Sequence, residues 1–530
     1  MTAQVALQKP EARVAADHRD RKRSRSRFSQ LLESLEERNT LENELYFVIT
    51  YLYGLATSYC SLVDMFDYVS QSEFKRCGRL FRRIKVLAKT WNLGFVKALE
   101  ETAKQVKSAL LRDFMERFSQ MLKTGETYDR FLMMEHEAYV VAYEAEYERQ
   151  LKSMENLGNA YSAIITSVTF VAITLTLTQA LMGSSSPGAF TATSMQLGTV
   201  LVSTLLLSVF ILYLVAPVDK FIYIHPDLRC PKEFTKLKRL LPLCVTVSVA
   251  AAVAVYVIPS FPYGKNMGTV LLALSIPLLP VGMLAKRADN AVKSRENAFP
   301  TFMRTLGTTA AITCYSTART LQLLMVREFG VLSDQVRALH ARLSVGVDST
   351  LCWRSVASES GSEFIRIFGG IYEATVSLGG DPGEIGKMIS RNMIRRLVLR
   401  AKRIQVAGGI RAMIFPLHVI ECALLSFMTA LLDFLVSMIN IGAQYGNSLG
   451  IFQTSIQPGA IAPLFNFIML LMIISNAVAL KVSEVSNNYR FLHHLSLLAI
   501  MTGAVTLCVN VAVDFIFKSM FNFQLLPGTS

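Results

Sequence analysis

Polar, basic blocks alternate with long apolar stretches along this chain, and the same order occurs twice. The first polar block covers residues 40–160 and the second covers residues 287–408, and apolar positions in both recur with the period of a helix. A long apolar stretch follows each block directly. The pattern predicts two helical modules, each joined to its own group of membrane-spanning helices.

The apolar stretches divide into runs close to the ~20 residues that a helix needs to cross a bilayer. The run at 409–440 is too long for one upright crossing, so it must tilt or extend beyond the bilayer. So many such runs in one chain argue against the buried helices of a soluble core, and the predicted fold class is all-α and polytopic. The predicted spans are 161–182, 195–217, 240–260, 267–285, 409–440, 460–480 and 493–516.

Lys and Arg are distributed unevenly over the connections between these spans. The chain before residue 160 carries 25 of them and residues 287–408 carry 17, whereas the connections 183–194, 261–266 and 441–459 carry almost none. Because cytosolic loops are enriched in Lys and Arg, both polar blocks are predicted to be cytosolic. Seven alternating spans then place the N-terminus inside and the C-terminus outside the cell membrane.

The predicted domains follow from these assignments. Residues 1–39 are too highly charged to bury and are expected to form a basic disordered tail. The rest divides into a first cytosolic helical domain (40–160), four transmembrane helices (161–286), a second cytosolic helical domain (287–408), three transmembrane helices (409–516) and an external tail (517–530).

The net charge of +14 is explained mostly by the cytosolic bias of a membrane protein. It therefore does not indicate nucleic acid as a partner, and the excess suits acidic proteins or anionic membrane lipids. Eight scattered cysteines form no CxxC pair, so neither disulfides nor a zinc site is predicted. No cleavable signal peptide is predicted at the polar N-terminus.

The two polar blocks share an internal order of elements. Phe118 precedes Gly125 by seven residues, and Tyr372 precedes Gly379 by the same number. In both blocks a helix, a glycine turn and a helix entering the membrane follow one another, and this order indicates an internal duplication. The predicted turn motif comprises Gly125, Gly379, Gly380 and Gly383.

The segments around these turns, FSQMLKTGETYDRFL and IYEATVSLGGDPGEIGKMI, resemble the motif of the type II secretion F family. Two copies, followed by four and three spans, resemble the archaeal platform proteins of the archaellum and of adhesive pili. The resemblance implies a platform at the base of a type IV pilus-like filament. It also implies a hexameric secretion ATPase and pilin subunits as partners, a homodimeric assembly and no enzymatic activity. The first copy departs from the family pattern, since Gly125 is followed by Glu126.

No catalytic residue, metal site or cofactor is predicted. The string Gly383–Met388 resembles a phosphate-binding loop, but it lacks the first glycine at the required spacing and has Met388 in place of the hydroxyl that binds magnesium. His136-Glu137 has no second histidine at metal-binding spacing. His493 and His494 are adjacent, so they diverge on a helix by about 100°.

A basic helix before the fifth span is the strongest candidate for docking the ATPase. The side of this helix opposite the basic residues carries apolar residues such as Met393 and Leu397. The alternative to docking is that the basic residues only anchor the helix at the cytosolic surface. Unchanged ATPase binding after charge reversal of Arg395, Arg396 and Arg400 would exclude the docking hypothesis. The corresponding first-block helix is acidic, so the two helices are expected to contact each other or different faces of the partner. The docking candidates are Arg391, Arg395, Arg396, Arg400, Lys402 and Arg403.

Ionisable residues inside the predicted spans are the second group of candidates. Glu421 falls near the middle of the fifth span with His418 three residues away, while Asp433 and Asp514 lie nearer span ends. A charge at mid-bilayer is costly, so Glu421 is expected to face protein and to be paired or protonated. The group either receives a charged pilin segment or only fixes helix packing. Normal filament assembly by Glu421→Gln would exclude the first interpretation.

Two other classes of protein stay open. A transporter or channel would line several spans with polar residues and have short loops, whereas here such residues are few and two large polar blocks are present. A membrane-anchored signalling scaffold would share this layout and would differ only in its partners. Co-purification of a hexameric ATPase and a pilin would discriminate among the three classes.

Overall fold

The structure, a computed structural model, describes residues 27–58, 60–72, 74–182, 187–257, 266–314, 316–444 and 458–524. Within these ranges the regular structure is helical, and one isolated antiparallel bridge joins Ile222 to Ser362. Seven helices among the described residues are long and apolar enough to cross a membrane. The predicted all-α, polytopic membrane fold is confirmed.

The first repeat consists of a long helix, four short helices and a second long helix. The second short helix, Lys75–Lys85, continues as a π-helical turn over Val86–Thr90. The helices are α1 (Arg27–Ala56), α2 (Leu62–Gln71), α3 (Lys75–Lys85), α4 (Gly94–Ala103), α5 (Ala109–Thr124) and α6 (Tyr128–Met182).

Three helices with long apolar stretches lie between the two repeats in the chain. These are α7 (Pro187–Val215), α8 (Lys232–Val257) and α9 (Met267–Ser275). A 3-10 turn over Ile276–Leu278 leads from α9 into the second repeat, so the fourth predicted span is formed by α9 and the start of the following helix.

The second repeat has the same order as the first. Its helices are α10 (Leu279–Thr313), α11 (Thr317–Leu324), α12 (Ser333–Ser344), α13 (Ser349–Ser360), α14 (Glu363–Ser377) and α15 (Pro382–Gln444). Two further helices of membrane-spanning character follow, α16 (Pro458–Ser483) and α17 (Arg490–Gln524).

A constant spacing relates the two repeats. Gly125 and Gly379 are separated by 254 residues, the same spacing as between Glu148 and Lys402. This spacing also separates the first residues of α5 and α14, and those of α6 and α15. The duplication inferred from two turns therefore extends over six helices. The next helices, α7 and α16, begin with the same tripeptide, Pro-Gly-Ala, and pack against each other.

The long helices explain where the sequence boundaries differ from the observed ones. The first predicted span begins at residue 161, but α6 begins at Tyr128, because apolar composition marks only the part of a helix that contacts lipid. The run at 409–440 likewise belongs to one continuous helix of 63 residues, α15. Helix α1 begins at Arg27, inside the stretch expected to be disordered, and residues 1–26 and 525–530 lie outside the described ranges.

By internal contacts the chain divides into two units. The first comprises residues up to Tyr143 with Leu378–Gly380, and the second comprises Glu144–Ser377 and the residues from Asp381 onward. The core of the first unit contains stacked aromatic rings of Phe66, Phe114, Phe118 and Phe131.

The second unit has its own aromatic core beneath its short helices. The ring centroids of Trp353 and Tyr372 lie 5.8 Å apart, and those of Phe299 and Phe302 lie 5.9 Å apart. Both rings of each pair are buried, so they bind α10, α13 and α14 together by removing a large apolar area from water.

Candidate functional site: the paired long helices and the membrane polar cluster

The glycine turns begin the two long helices in equivalent ways. Gly125 has φ +72° and Gly379 has φ +87°, the left-handed region that non-glycine residues adopt only at a cost. Gly125 ends α5 by donating its N–H to the Met121 carbonyl at 3.1 Å. In the second turn the Gly383 N–H donates to Asp381 Oδ1 at 2.8 Å, which caps the start of α15. Gly125 and Gly379 thus share one conformation, whereas Gly383 is a helical residue.

Helices α6 and α15 run in parallel and contact each other in register. Arg395 Nε lies 3.9 Å from Glu144 Oε1, and Lys402 forms an ion pair with Glu148. Farther along, an ideal Cβ on Gly158 would lie 2.6 Å from Ile410 Cγ1, so the Ile410 side chain of α15 packs directly against the α6 backbone. The expectation that the acidic and basic helices contact each other is therefore met along this stretch.

Most of the basic face of α15 points into the protein. Arg396, Arg400 and Arg403 are only 2%, 3% and 5% exposed. Arg396 donates to Asp219 at 3.1 Å, and Arg400 pairs with Glu296 on α10 while stacking 3.9 Å above the Phe364 ring. These three arginines have intramolecular partners, so they are not presented to a docking protein in this structure.

Arg403 joins three segments of the chain. Its guanidinium donates to the carbonyl oxygens of Pro217, Val482 and Ser483 at 2.6, 3.0 and 3.1 Å, and it lies 3.4 Å from Asp219. Val482 and Ser483 are the last residues of α16, whose last carbonyl groups have no partner within their own helix, and Pro217 lies two residues beyond the end of α7. The arginine therefore joins the end of α16 and the segment that follows α7 to α15.

Asp219 is the acidic centre of this cluster. Its carboxylate is buried and also accepts a hydrogen bond from the Tyr147 hydroxyl. Burial by itself raises its pKa, but Arg396, Arg403 and Arg400 outweigh burial and hold the pKa below the ordinary aspartate value. The carboxylate stays ionised at neutral pH and neutralises part of the arginine charge.

The remaining docking candidates are at the surface. Arg391 is exposed, Arg395 is half-buried beside Glu144, and the Lys402 side chain is 49% exposed beside Glu148. The side of α15 that a helical wheel marks as apolar is exposed in part, since Ile394 and Val398 are each 50% exposed. Docking of an ATPase through this helix stays a prediction, and Arg391 and Lys402 are the candidates whose side chains are exposed to a partner.

A buried glutamate and a serine recur in both repeats. Ser108, which caps α5, donates to Glu42 on α1 at 3.1 Å, and Ser362, before α14, donates to Glu296 on α10 at 2.6 Å. Sequence reasoning missed both pairs and Asp219. The dipeptide Glu-Asn, at residues 42–43 and again at 296–297, carries the repeat spacing of 254 residues and could have identified the glutamates.

The string Gly383–Met388 forms the first turns of α15. An ideal Cβ on Gly386 would lie 2.9 Å from the Cα of Gly307, and one on Gly307 would lie 2.3 Å from the Pro382 carbonyl oxygen. These glycines let α10 and α15 approach each other, as small residues do where two helix backbones meet. The packing accounts for the glycines without a phosphate.

A buried polar cluster occupies the membrane-spanning part. His418 Nε2 lies 2.9 Å from Thr502 Oγ1, and its Nδ1 lies 3.1 Å from the amide nitrogen of Asn476. Tyr161 donates to Asn476 Oδ1 at 2.7 Å and lies 3.0 Å from Ser475 Oγ. The cluster thus connects α6, α15, α16 and α17 through side-chain hydrogen bonds.

Glu421 lies beside this cluster and is 2% exposed. It accepts a long hydrogen bond from Thr166 at 3.4 Å, so it faces protein as expected. Arg411, on the same helix, instead pairs with Glu484, which also lies 3.3 Å from Arg490. Asp433 and Asp514 are both exposed and are not part of the cluster. The structure brings His418 and Glu421 together on one helix and leaves the two aspartates apart.

Two proteins called flagella accessory protein J are similar to this chain. The protein of Methanocaldococcus jannaschii is 26% identical over 384 residues, which cover 70% of this chain and 66% of that protein. The protein of Methanococcus voltae is 26% identical over 351 residues, which cover 64% of this chain and 60% of that protein.

The chain therefore spans somewhat less than two thirds of the length of either relative. No protein-family model and no solved structure matches it. Over most of its length, this chain is therefore similar to two flagella accessory proteins of archaea.

Proposed function

We propose that this protein is the inner-membrane platform of an archaellum or a related archaeal pilus, and that it couples a cytosolic secretion ATPase to the assembly of pilin subunits. The observation that carries the proposal is the similarity to two flagella accessory proteins J over 70% and 64% of the chain. In this proposal both helical repeats are cytosolic, the N-terminus is inside and the C-terminus is outside. Its partners are the ATPase, pilins, membrane lipids and a second copy of the chain, and nucleic acid is not among them.

The long helices support a role in relaying motion. Helix α15 continues without a break from the Gly379 turn into the membrane-spanning segment, over 63 residues or about 95 Å at 1.5 Å per residue. Buried ion pairs join it to Glu296 on α10 and to Asp219. From Pro382 to Pro416, whose ring removes a backbone hydrogen bond of the helix, a displacement of the outer end of α15 is therefore transmitted along a continuous helix rather than absorbed in a loop.

The energy for assembly comes from a partner in this proposal. The Gly383–Met388 string lies in a helix packed against α10, and no group of three or more metal-ligating side chains was found among the residues that the structure describes. The membrane polar cluster with Glu421 is the proposed contact for pilin, since Glu421 is an ionisable residue near mid-span, and its burial requires the surrounding helices to separate before a pilin segment can reach it.

In-frame deletion of the gene in its host, with rescue from a plasmid, tests the proposal. Surface filaments seen by electron microscopy should disappear and return on rescue, and the tagged protein should retain the ATPase and a pilin on purification. Filament numbers unchanged by the deletion would overturn the proposal.

A single charge reversal tests the ATPase contact. Arg391→Glu should lower retention of the ATPase several-fold, because it places a negative charge on an exposed position of the basic helix. Lys104→Glu is the matched control, since the Lys104 side chain is 69% exposed directly after α4, outside the predicted docking helix. Equal retention by both variants would remove Arg391 from the contact.

A further inference from the structure

Two loops in equivalent positions both turn at a left-handed residue. Residues Trp91–Leu93 follow the π-helical turn after α3, and residues Val345–Val347 follow α12. The central residues, Asn92 with φ +53° and Gly346 with φ +84°, are both left-handed. They are separated by the repeat spacing of 254 residues. We refer to Trp91–Leu93 as tip 1 and to Val345–Val347 as tip 2.

Helix capping explains the second apolar residue of each tip. The Leu93 N–H donates to the Leu87 carbonyl at 3.3 Å, and the Val347 N–H donates to the Arg342 carbonyl at 3.2 Å. A left-handed residue followed by an apolar residue that packs on its own helix is the usual end of an α-helix. Leu93 and Val347, which are 38% and 37% exposed, therefore have a structural role within their own loops.

Capping does not explain the first apolar residue of each tip. Trp91 is 69% exposed and Val345 is 83% exposed, so neither contributes much to a core. A single exposed apolar side chain is ordinary. Here, however, two repeats that differ widely in sequence both present one at the same position of the same loop. Binding to another molecule gives both positions a common reason to stay apolar.

The neighbourhoods of the tips differ in charge. Residues 75–90, which lead into tip 1, contain seven Lys and Arg and neither Asp nor Glu. Helix α12, which leads into tip 2, carries Asp334 together with Arg337 and Arg342. The charge of its neighbourhood therefore favours binding of tip 1 to an apolar pocket with an acidic rim, and it favours binding of tip 2 to the same pocket less.

Tip 2 lies at the end of its repeat where α15 begins its course toward the membrane. Thr350, three residues after tip 2, lies 3.5 Å from Glu373 near the end of α14. From Pro382 to the predicted span at residue 409, α15 covers about 40 Å at 1.5 Å per residue. This distance favours a soluble protein over a lipid surface as the molecule bound there.

We propose that Trp91 and Val345 are anchors that insert into equivalent apolar pockets on one homo-oligomeric protein, the secretion ATPase. Two copies of one anchor in a chain match a partner whose identical subunits offer the same pocket more than once. The choice of the ATPase rests on the proposed function. Anchors of this kind bind by filling a pocket with a rigid side chain, and Trp is enriched among the residues that dominate binding.

Binding of the purified host ATPase to the full-length protein in lipid nanodiscs tests the proposal. Trp91→Ser should weaken binding by about 10-fold or more, as expected for loss of a Trp anchor. Val345→Ser should weaken it by about threefold, and the two together by more than either alone. Added salt should weaken binding through tip 1 more than through tip 2. Val326→Ser is the control, since Val326 is 93% exposed but corresponds to Ser72 in the first repeat.

The outcomes separate this proposal from the proposed function. Failure of the unaltered protein to bind the ATPase would count against the proposed coupling itself. Binding by the unaltered protein that Trp91→Ser and Val345→Ser leave unchanged would overturn only the anchor proposal. An equal loss of binding by Val326→Ser would also overturn it, because apolar exposure alone would then account for the effect.

Intrinsic fluorescence tests the lipid alternative. The chain has two tryptophans, Trp91 and the buried Trp353, so Trp353→Phe leaves Trp91 as the only reporter. Its emission should be that of an exposed indole in nanodiscs and shift to the blue when the ATPase is added. A blue-shifted emission before the ATPase is added, confined to anionic nanodiscs, would show a membrane contact and overturn the proposal for tip 1.

Discussion

Helices α6 and α15 occupy equivalent positions in the two repeats but carry opposite charge. Glu148 and Lys402, which are 254 residues apart and hence equivalent, form an ion pair with each other. In a parallel, in-register pair of identical helices, equivalent positions would place the same residue on both sides of the contact, and like charges would repel. The acidic residues of one helix and the basic residues of the other replace this repulsion with attraction.

The same comparison holds at the buried glutamates. Glu42 and Glu296 each accept a hydrogen bond from the serine that precedes the last short helix of the repeat. In the first repeat the long helix reaches this site through Tyr139, whose hydroxyl donates to the Glu42 carbonyl at 2.8 Å. In the second repeat the long helix reaches it through Arg400, which pairs with the Glu296 carboxylate. The hydrogen bond from the serine to the glutamate is therefore common to both repeats, whereas the contact that the long helix makes with the glutamate residue differs.

The largest expected effect is at Asp219, which belongs to the attachment of α15. Asp219→Asn should destabilise the protein by about 3–5 kcal/mol, because it leaves Arg396 and Arg403 buried without their carboxylate. Chemical or thermal unfolding of the purified protein in detergent measures the effect. Asp227→Asn, in the same connection but 86% exposed, is the control and should change stability little.

The pH dependence of this attachment follows from the lowered pKa of Asp219. A carboxyl whose pKa is lower in the folded state stabilises fully above its unfolded pKa of about 3.9. That stabilisation is lost as the pH falls through the folded pKa, and Asp219→Asn should lack this part of the acid destabilisation. An acid profile identical to that of the unaltered protein would contradict the ion-pair account.

An intermediate effect is expected at the two glycine turns. Gly125→Ala and Gly379→Ala should each cost about 1–2 kcal/mol, because both need a left-handed backbone. An ideal Cβ on Gly125 would have no neighbour within 4 Å, so the cost there is backbone strain rather than a clash. Gly370→Ala, in helix α14 with equally open space, is the control and should be neutral or stabilising. Costs that differ greatly between the two turns would contradict their equivalence.

The smallest effect is expected where α6 and α15 meet at their surface. Lys402→Glu and Glu148→Lys should each destabilise by about 0.5 kcal/mol, since both side chains are half-exposed and solvent screens the pair. The double exchange should restore stability, and the coupling should weaken in high salt. Arg391→Glu combined with Glu148→Lys is the control and should show no coupling. Additive effects at Lys402 and Glu148 would show that the pair contributes nothing.

The sequence predicted the membrane fold and the duplication because both depend on local patterns. Apolar runs mark spans, and the glycine turn lies seven residues beyond an aromatic residue in both copies. Which side of α15 is buried in the protein could not be predicted in the same way. A helical wheel separates its basic side from its apolar side, but which side is buried depends on Asp219 and Glu296, which are 177 and 104 residues from Arg396 and Arg400.

The in-register contact of α6 and α15 means that one chain holds what two identical chains would form by pairing equivalent helices. In a homodimer any substitution appears on both sides of such a contact, so a Glu facing Lys at equivalent positions could not arise. Fusion within one chain removes that restriction. It also makes the pairing of these helices independent of how much protein the cell makes, because each helix supplies the other at a fixed effective concentration.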